Sequence, residues 1–260
     1  MATVVITGAS MGIGRALALA WARRGDTVVL SARSERALED VAAEAKTIGG
    51  RAIVVPGDVT SGAHRRALIE HAVQTTGGID VLVNNAGRGY YAPFHEVDLD
   101  TMRGLFELNV FAPLELAQLA KPHLERARGA IVMLSSVAGV VAAPRYAAYS
   151  ASKFALEAMS MAMRSELHAR GVRVIVVRPG PVATPFRENS HRGAEGGYTK
   201  PDPKAQSAEA VAERTLRAVD RGSDVDETSA FVRFASIVSR HAPPAMRFAL
   251  RRMALRPPED

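Results

Sequence analysis

Tyr149 and Lys153 stand four residues apart in the stretch Tyr-Ser-Ala-Ser-Lys. The stretch opens a long run of good helix formers, so both side chains are expected on one helical face. A phenol ordinarily loses its proton near pH ~10. An ammonium beside it favours the phenolate and draws that value toward neutrality. Such a pair can pass a proton to or from a substrate oxygen at working pH. Alone, the pattern is common on solvated helix faces, so its meaning depends on what else the chain supplies. Tyr146 serves as an internal comparison: its neighbour four residues on is Ser150, not a cation. Tyr90 and Tyr91 have no lysine nearby either, and read as pocket walls or surface rings.

The second chemical feature is a glycine-rich turn, Thr7-Gly8-Ala9-Ser10-Met11-Gly12-Ile13-Gly14, between an apolar run and a helical pattern. Glycines there allow a tight turn and bring backbone N–H groups, from Gly8 through Ser10, Met11, Gly12, Ile13 and Gly14, close to a pyrophosphate. The helix N-terminus adds a favourable dipole. The end of the next strand selects the form of dinucleotide. An acid there would accept hydrogen bonds from the ribose hydroxyls of NAD. This chain has Ser31-Ala32-Arg33-Ser34 and no acid. The planar fork of Arg33, with Ser34 beside it, suits a 2′-phosphate instead. NADP(H) is the expected cofactor, and redox chemistry at a carbon–oxygen bond the expected reaction.

The elements that must position these groups follow from the apolar periodicity. Strand-length runs begin at Thr3 (TVVIT), Thr27 (TVVLS), Ala52 (AIVVP), Asp80 (DVLVN), Ala130 (AIVMLS) and Val172 (VRVIVV). Helical patterns follow over about 13–24, 35–47, 63–76 and 99–124, then on the segment carrying Tyr149, and over about 208–221. The stretch ETSAFVRF from Glu227 reads as a seventh strand. Strand–helix alternation with near-continuous apolar strands marks a parallel sheet covered on both faces. The expected fold is a single-domain, Rossmann-like α/β doubly wound sheet of about seven strands spanning 1–260. Residues 181–206, rich in Pro and Gly, read as a substrate lid, and 234–260 as a basic amphipathic extension.

Composition narrows the class. The chain has 260 residues, 47% of them hydrophobic, which is enough for a sizeable core. It has no cysteine, so neither a disulfide framework nor a thiolate metal site is available. The seven histidines are scattered. His64 and His71 can share a helix face, but a solvated face is the better reading, and no metal is expected. The start, MATVVITGAS, enters a strand pattern directly and has no signal-peptide character. No apolar run approaches the ~20 residues of a spanning helix. A cytoplasmic location is expected. The net charge of +6 reads as an ordinary arginine-rich exterior rather than a nucleic-acid surface.

Taken together in order, these motifs resemble the classical short-chain dehydrogenase/reductase family over roughly residues 3–222. The family's glycine turn matches Thr7 to Gly14, its Asn-Asn-Ala-Gly matches Asn84 to Gly87, its Tyr-x-x-x-Lys matches Tyr149 and Lys153, and its Pro-Gly matches Pro179-Gly180. The resemblance implies a catalytic serine at Ser136, with Ser135 as the competing assignment, and a helix asparagine at Asn109 that holds a water linked to Lys153. It implies that Lys153 also binds the nicotinamide ribose. It places Asp58, beside Val59, at the adenine amino group. It places Asn85, Ala86 and Gly87 along the cofactor, and Pro179, Gly180, Val182 and Thr184 at its nicotinamide end. It further implies a homodimer or homotetramer acting on a small carbonyl or alcohol.

The chain departs from that pattern after Asp226. Met246, Phe248, Leu250, Met253 and Leu255 alternate with Arg247, Arg251, Arg252 and Arg256, resembling the ends of hydroxysteroid-dehydrogenase-like branches. This tail could lie on an anionic membrane surface as a peripheral contact, pack on a partner subunit, or cap the substrate pocket. It bears on the tetramer more than on a dimer built from the helices near 99–124 and 149–170. The expected function is NADP(H)-dependent carbonyl reduction, on an apolar substrate suggested by Val137, Ala138, Val140, Val141 and Ala142. The alternatives are a catalytically silent NADP(H) sensor and a membrane-surface binding protein on the same fold.

Overall fold

The computed structural model describes residues 1–194 and 205–254. Strand β1 (Thr3–Thr7) leads through the glycine turn to α1 (Gly12–Arg23), β2 (Thr27–Ser31) to α2 (Glu35–Thr47), and β3 (Arg51–Val54) to α3 (Gly62–Thr76). After β4 (Val81–Asn84) come a two-residue strand β5 (Tyr90–Tyr91), α4 (Leu99–Phe106) and α5 (Ala112–Ala127). Next are β6 (Ala130–Leu134), α6 (Ala147–His168), β7 (Arg173–Arg178), a second short strand β8 (His191–Arg192) and α7 (Ala208–Arg221). The last described elements are β9 (Val225–Glu227), α8 (Ala230–His241) and α9 (Pro243–Ala254).

Seven strands form one parallel sheet in the order β3-β2-β1-β4-β6-β7-β9. Its inner strands are apolar throughout because both faces are covered. Alternate side chains go to opposite layers. Val4 and Ile6 pack with Leu17, Trp21, Leu38 and Leu216 of α1, α2 and α7. Val5 packs with Leu68, Leu116, Leu124 and Leu156 of α3, α5 and α6. The winding reverses between β1 and β4, and the crevice beyond their carboxyl ends is where ligands bind in sheets of this kind. The single α/β domain expected from the sequence is what the chain forms.

Three expectations need correction or qualification. The helix over 99–124 is not continuous: Glu107–Phe111 forms a π turn between α4 and α5. Pro113 is the cause we identify in the sequence. It has no N–H to donate to the carbonyl of Asn109, four residues back, so regular α pairing fails there. The stretch ETSAFVRF is not the seventh strand. That strand is β9, paired in parallel with β7, and Ser229 then caps α8 by accepting from the N–H of Val232 at 3.3 Å. The apolar residues of that stretch, Phe231, Val232, Phe234 and Ala235, have helical spacing. Of the segment 181–206, residues 195–204 lie outside the described residues, as do 255–260 of the extension, including Leu255 and Arg256. No helix among the described residues is long and apolar enough to cross a membrane.

Candidate active site

The glycine turn is built for a close approach. Gly8 has φ +65°, and a Cβ there would come within 2.9 Å of the Ala86 Cα. A Cβ on Gly14 would collide with the Gly8 carbonyl oxygen. Asn85 fixes the turn to the end of β4: its side-chain amide donates to the carbonyls of Thr7 (2.9 Å) and Gly8 (3.1 Å). Thr7 Oγ1 in turn accepts from the N–H groups of Asn85 and Ala86, each at 3.1 Å. Helix α1 begins at Met11 without a side-chain cap, whereas α2, α3, α4, α7 and α8 each have one. Its first N–H groups are therefore available to an anion. This cradle fits the diphosphate of a dinucleotide.

At the other end of the same crevice, Arg33 is exposed on the rim and makes no ion pair among the described residues. Ser34, beside it, caps α2 by accepting from the Ala37 N–H at 3.3 Å. Asp58 Oδ1 accepts from the N–H (2.9 Å) and hydroxyl (2.8 Å) of Thr60. Partial burial works to raise its pKa, but these bonds and the nearby Arg33 outweigh that and hold it below the usual value. His64 is not merely solvated. Its Nε2 shares a 2.9 Å hydrogen bond with Ser31 Oγ, and burial lowers its pKa, so it is neutral at pH 7. His71 is exposed, and among the described residues no group of His, Asp and Glu could hold a metal.

Tyr149 and Lys153 do share one face of α6, and both are buried. Their electrostatics differ from the sequence expectation. Burial pushes the Tyr149 phenol well above its ordinary value, and the neighbouring Tyr91 and Tyr146 add to this, against a lowering hydrogen bond from Ser136. Lys153 is pulled down to about 8 by burial, partly offset by Glu157. The ammonium does not rescue the phenolate because it points elsewhere. Nζ donates to the Leu134 carbonyl at 2.8 Å and lies 5.9 Å from the centre of the Tyr149 ring. In a buried site, desolvation of the charged forms outweighs their attraction at that distance.

The two serines are clearly separated. Ser136 Oγ accepts from the Ala138 N–H at 3.1 Å and is the hydroxyl that meets Tyr149. Ser135 Oγ is buried without a hydrogen-bond partner among the described residues, on the side of Gly139 and Glu157. Asn109 is buried in the π turn and does not line the crevice. Its Oδ1 accepts from the Arg88 N–H and its amide donates to the Arg88 carbonyl and to Ser152 Oγ, all at 3.0 Å. Ser152 in turn donates to the Tyr149 carbonyl at 2.7 Å. Asn109 thus ties the segment after β4 to the turn of α6 that carries Tyr149.

Every site residue expected from the sequence except Asn109 lines one continuous cleft of about 970 Å³. Met11, Ile13 and Val59 join its cofactor half, and Pro179, Gly180, Val182 and Thr184 border it where Gly12 approaches Thr184. Sequence reading missed much of the other half. Phe186 lies 5.9 Å from the Tyr149 ring, and Tyr91 packs edge-on against Tyr146 at 4.8 Å. Burial raises the Tyr91 phenol to about 12 and keeps it neutral. Tyr90 faces the other way, into a small core, where its hydroxyl accepts from the Asp98 N–H at 2.8 Å. Arg88 donates to His191 at 2.9 Å, while β5 and β8 pair to anchor the loop after β7. The sequence had offered Tyr90 and Tyr91 as pocket walls or surface rings; Tyr91 is a wall and Tyr90 is not. Met246, Leu250 and Met253 of α9 complete it, so the tail does border the pocket.

Comparison with known proteins places this geometry in a family. The family described as short chain dehydrogenase matches residues 2–195. An uncharacterized oxidoreductase of Methylorubrum extorquens is 43% identical over 74% of this chain and 77% of its own length. A short-chain dehydrogenase from Streptomyces avermitilis superposes with a TM-score of 0.85 at 28% identity, covering 97% of both chains. A short-chain dehydrogenase from Sphingobium yanoikuyae, solved in complex with NADPH, has a TM-score of 0.80 at 28% identity, covering 97% of this chain and 96% of its own. The chain belongs to the short-chain dehydrogenase family. It is accordingly an oxidoreductase of a family that binds nicotinamide cofactors and acts on small molecules.

Proposed function

We propose that this protein reduces a carbonyl to an alcohol with NADPH, on an apolar substrate, using Tyr149 as the proton donor. The observation that carries the reading is that Ser136, Tyr149 and Lys153 line the same cleft as the glycine cradle, with the Ser136 hydroxyl acting to lower the pKa of the buried Tyr149 phenol. The reduced nicotinamide, when bound, supplies the hydride. The chain's own residues do the rest. Ser136 donates to the carbonyl oxygen and polarises it. Tyr149, neutral at pH 7 because it is buried, gives its proton to the same oxygen as negative charge develops there. Lys153, whose ammonium is held by the Leu134 carbonyl, is placed to bind the ribose hydroxyls of the cofactor. Asn109 positions α6 through Ser152. Asn85, Ala86 and Gly87 border the cofactor, and Phe186 borders the substrate half of the cleft.

Arg33 supports NADP(H) over NAD(H), since no carboxylate ends β2 and a cation stands at the rim. A solved relative holding NADPH adds to this. Phe111 on the π turn, with Phe154 and Met161 on α6, is exposed, which favours pairing of α5 and α6 with those of a second copy as a homodimer. The test is turnover of a panel of ketones and aldehydes with NADPH and NADH, by the native chain and by Tyr149→Phe. The native chain should consume NADPH with apolar carbonyls. The variant should lose at least ~1,000-fold in kcat while binding NADPH as before. Full activity in the variant would refute the role of Tyr149. NADPH binding without turnover of any carbonyl would favour the sensor reading.

A further inference from the structure

We infer that the α8–α9 hairpin docks the protein on an anionic membrane surface and presents the substrate half of the cleft to the lipid phase. The starting observation is how little of the hairpin the protein itself covers. Helix α9 has no buried residue, and α8 buries only Val232 and Ala235. A helix of this length is marginal in water unless one face is packed. Yet the hairpin displays large apolar side chains: Phe234 is 67% exposed and Phe248 62% exposed, with Phe231, Ile237 and Met253 alongside.

Charge decides what covers them. From Thr228 to Pro258 the sequence contains six arginines and neither aspartate nor glutamate. Five of them, Arg233, Arg240, Arg247, Arg251 and Arg252, are exposed, and none pairs with a carboxylate among the described residues. The Arg252 guanidinium lies over the Phe248 ring at 5.1 Å, so a cation and an apolar anchor share one patch. A second copy is a poor occupant. Two-fold pairing would set Arg247, Arg251 and Arg252 against themselves. Arginines flanking exposed phenylalanine and methionine on a short helix suit the interface of an anionic bilayer, with the rings at acyl depth and the guanidinium groups among phosphates. No described helix crosses a membrane, so the contact is peripheral.

The same two helices wall the cleft. Phe231, Phe234 and Val238 of α8 and Met246, Leu250 and Met253 of α9 line it. A lipid-phase molecule can therefore reach Tyr149 along an apolar path. This part rests on the proposed carbonyl reduction and deepens it: the substrate is a membrane-resident lipidic ketone or aldehyde. The docking itself does not depend on that reading.

The full-length protein is sedimented with vesicles of phosphatidylcholine alone and of phosphatidylcholine mixed with phosphatidylglycerol, at low and high salt. Binding is expected to the anionic vesicles only and to fall with salt. The triple variant Arg247→Glu, Arg251→Glu, Arg252→Glu should lose at least about 100-fold in partitioning. Phe248→Ala, which leaves every charge in place, should lose about tenfold. None of these residues lines the cleft. Turnover of a short water-soluble ketone should stay unchanged, while turnover of a long-chain ketone embedded in the anionic vesicles falls in step with binding. No vesicle association, or equal binding to neutral and anionic vesicles, overturns the inference. So does a dimer, measured by light scattering, that the triple variant dissolves. Anionic-vesicle binding without turnover of either ketone would leave the docking standing and sink the reductase.

Discussion

Replacing Lys153 by Met should make the protein more stable at neutral pH while removing its activity. Lys153 is buried, and its pKa falls from 10.5 to about 8. That drop corresponds to about 3 kcal/mol of cost for holding the ammonium charged. Met fills similar space without charge, but leaves the Leu134 carbonyl without its 2.8 Å donor, a loss of about 1 kcal/mol. The net gain is about 2 kcal/mol at pH 7, or a rise of roughly 4–8 °C in Tm for a chain of this size. The pH dependence is distinctive. Below pH 8 the lysine is protonated folded and unfolded, so the native chain bears the whole cost. Between about 8 and 10.5 the unfolded chain keeps a proton that the folded chain has shed, so native stability rises with pH. The advantage of the variant should therefore shrink to roughly half a kcal/mol by about pH 9.5. Calorimetry of the cofactor-free proteins at both pH values measures this. A variant less stable at pH 7, or a gain that stays flat with pH, would show that burial does not dominate at Lys153.

Arg33→Ala should raise the Kd for NADPH about 10- to 100-fold and leave that for NADH within about twofold, by calorimetric titration. Equal losses would remove the 2′-phosphate contact. Ser136→Ala should lower kcat about 100- to 1,000-fold, while Ser135→Ala stays within a few-fold; the opposite ranking would reverse the two serines. Arg178 forms a bidentate pair with Glu157, at 2.9 Å for each bond, and reaches Glu227 at 3.2 Å, joining α6, β7 and β9. Arg178→Ala strands two largely buried carboxylates and should cost about 3–5 kcal/mol in urea unfolding. A loss under about 1 kcal/mol would mean that water reaches the pair freely.

The central sheet was legible because its six longer strands are uninterrupted apolar runs, and the cofactor half because glycine and asparagine motifs are local in sequence. What escaped was set by groups distant along the chain. The pairing of Tyr149 with Ser136 could be inferred, but not the direction of the Lys153 ammonium, which depends on where the Leu134 carbonyl lies. The π turn had a local sign in Pro113, overlooked because α4 and α5 together keep a helical pattern across it. The seventh strand was misplaced by a few residues, since β9 is only three residues long and the capping Ser229 directly follows it. Tyr91 and the tail were offered as possible borders of the pocket, but which of them meet there was not legible, because the wall brings together segments far apart in sequence and no spacing rule reports such a meeting.

The division of labour between core and hairpin has an evolutionary consequence. The reactive groups hang from sheet strands and α6, and Asn109 ties the segment after β4 to the turn of α6 that carries Tyr149. The last two helices contribute only Val232 and Ala235 to the interior, yet they form much of the apolar wall. Substitutions there can refit the chamber to a new molecule at little expense to folding. Selection can thus diversify ligand choice at the carboxyl end while inheriting the hydride-transfer apparatus intact.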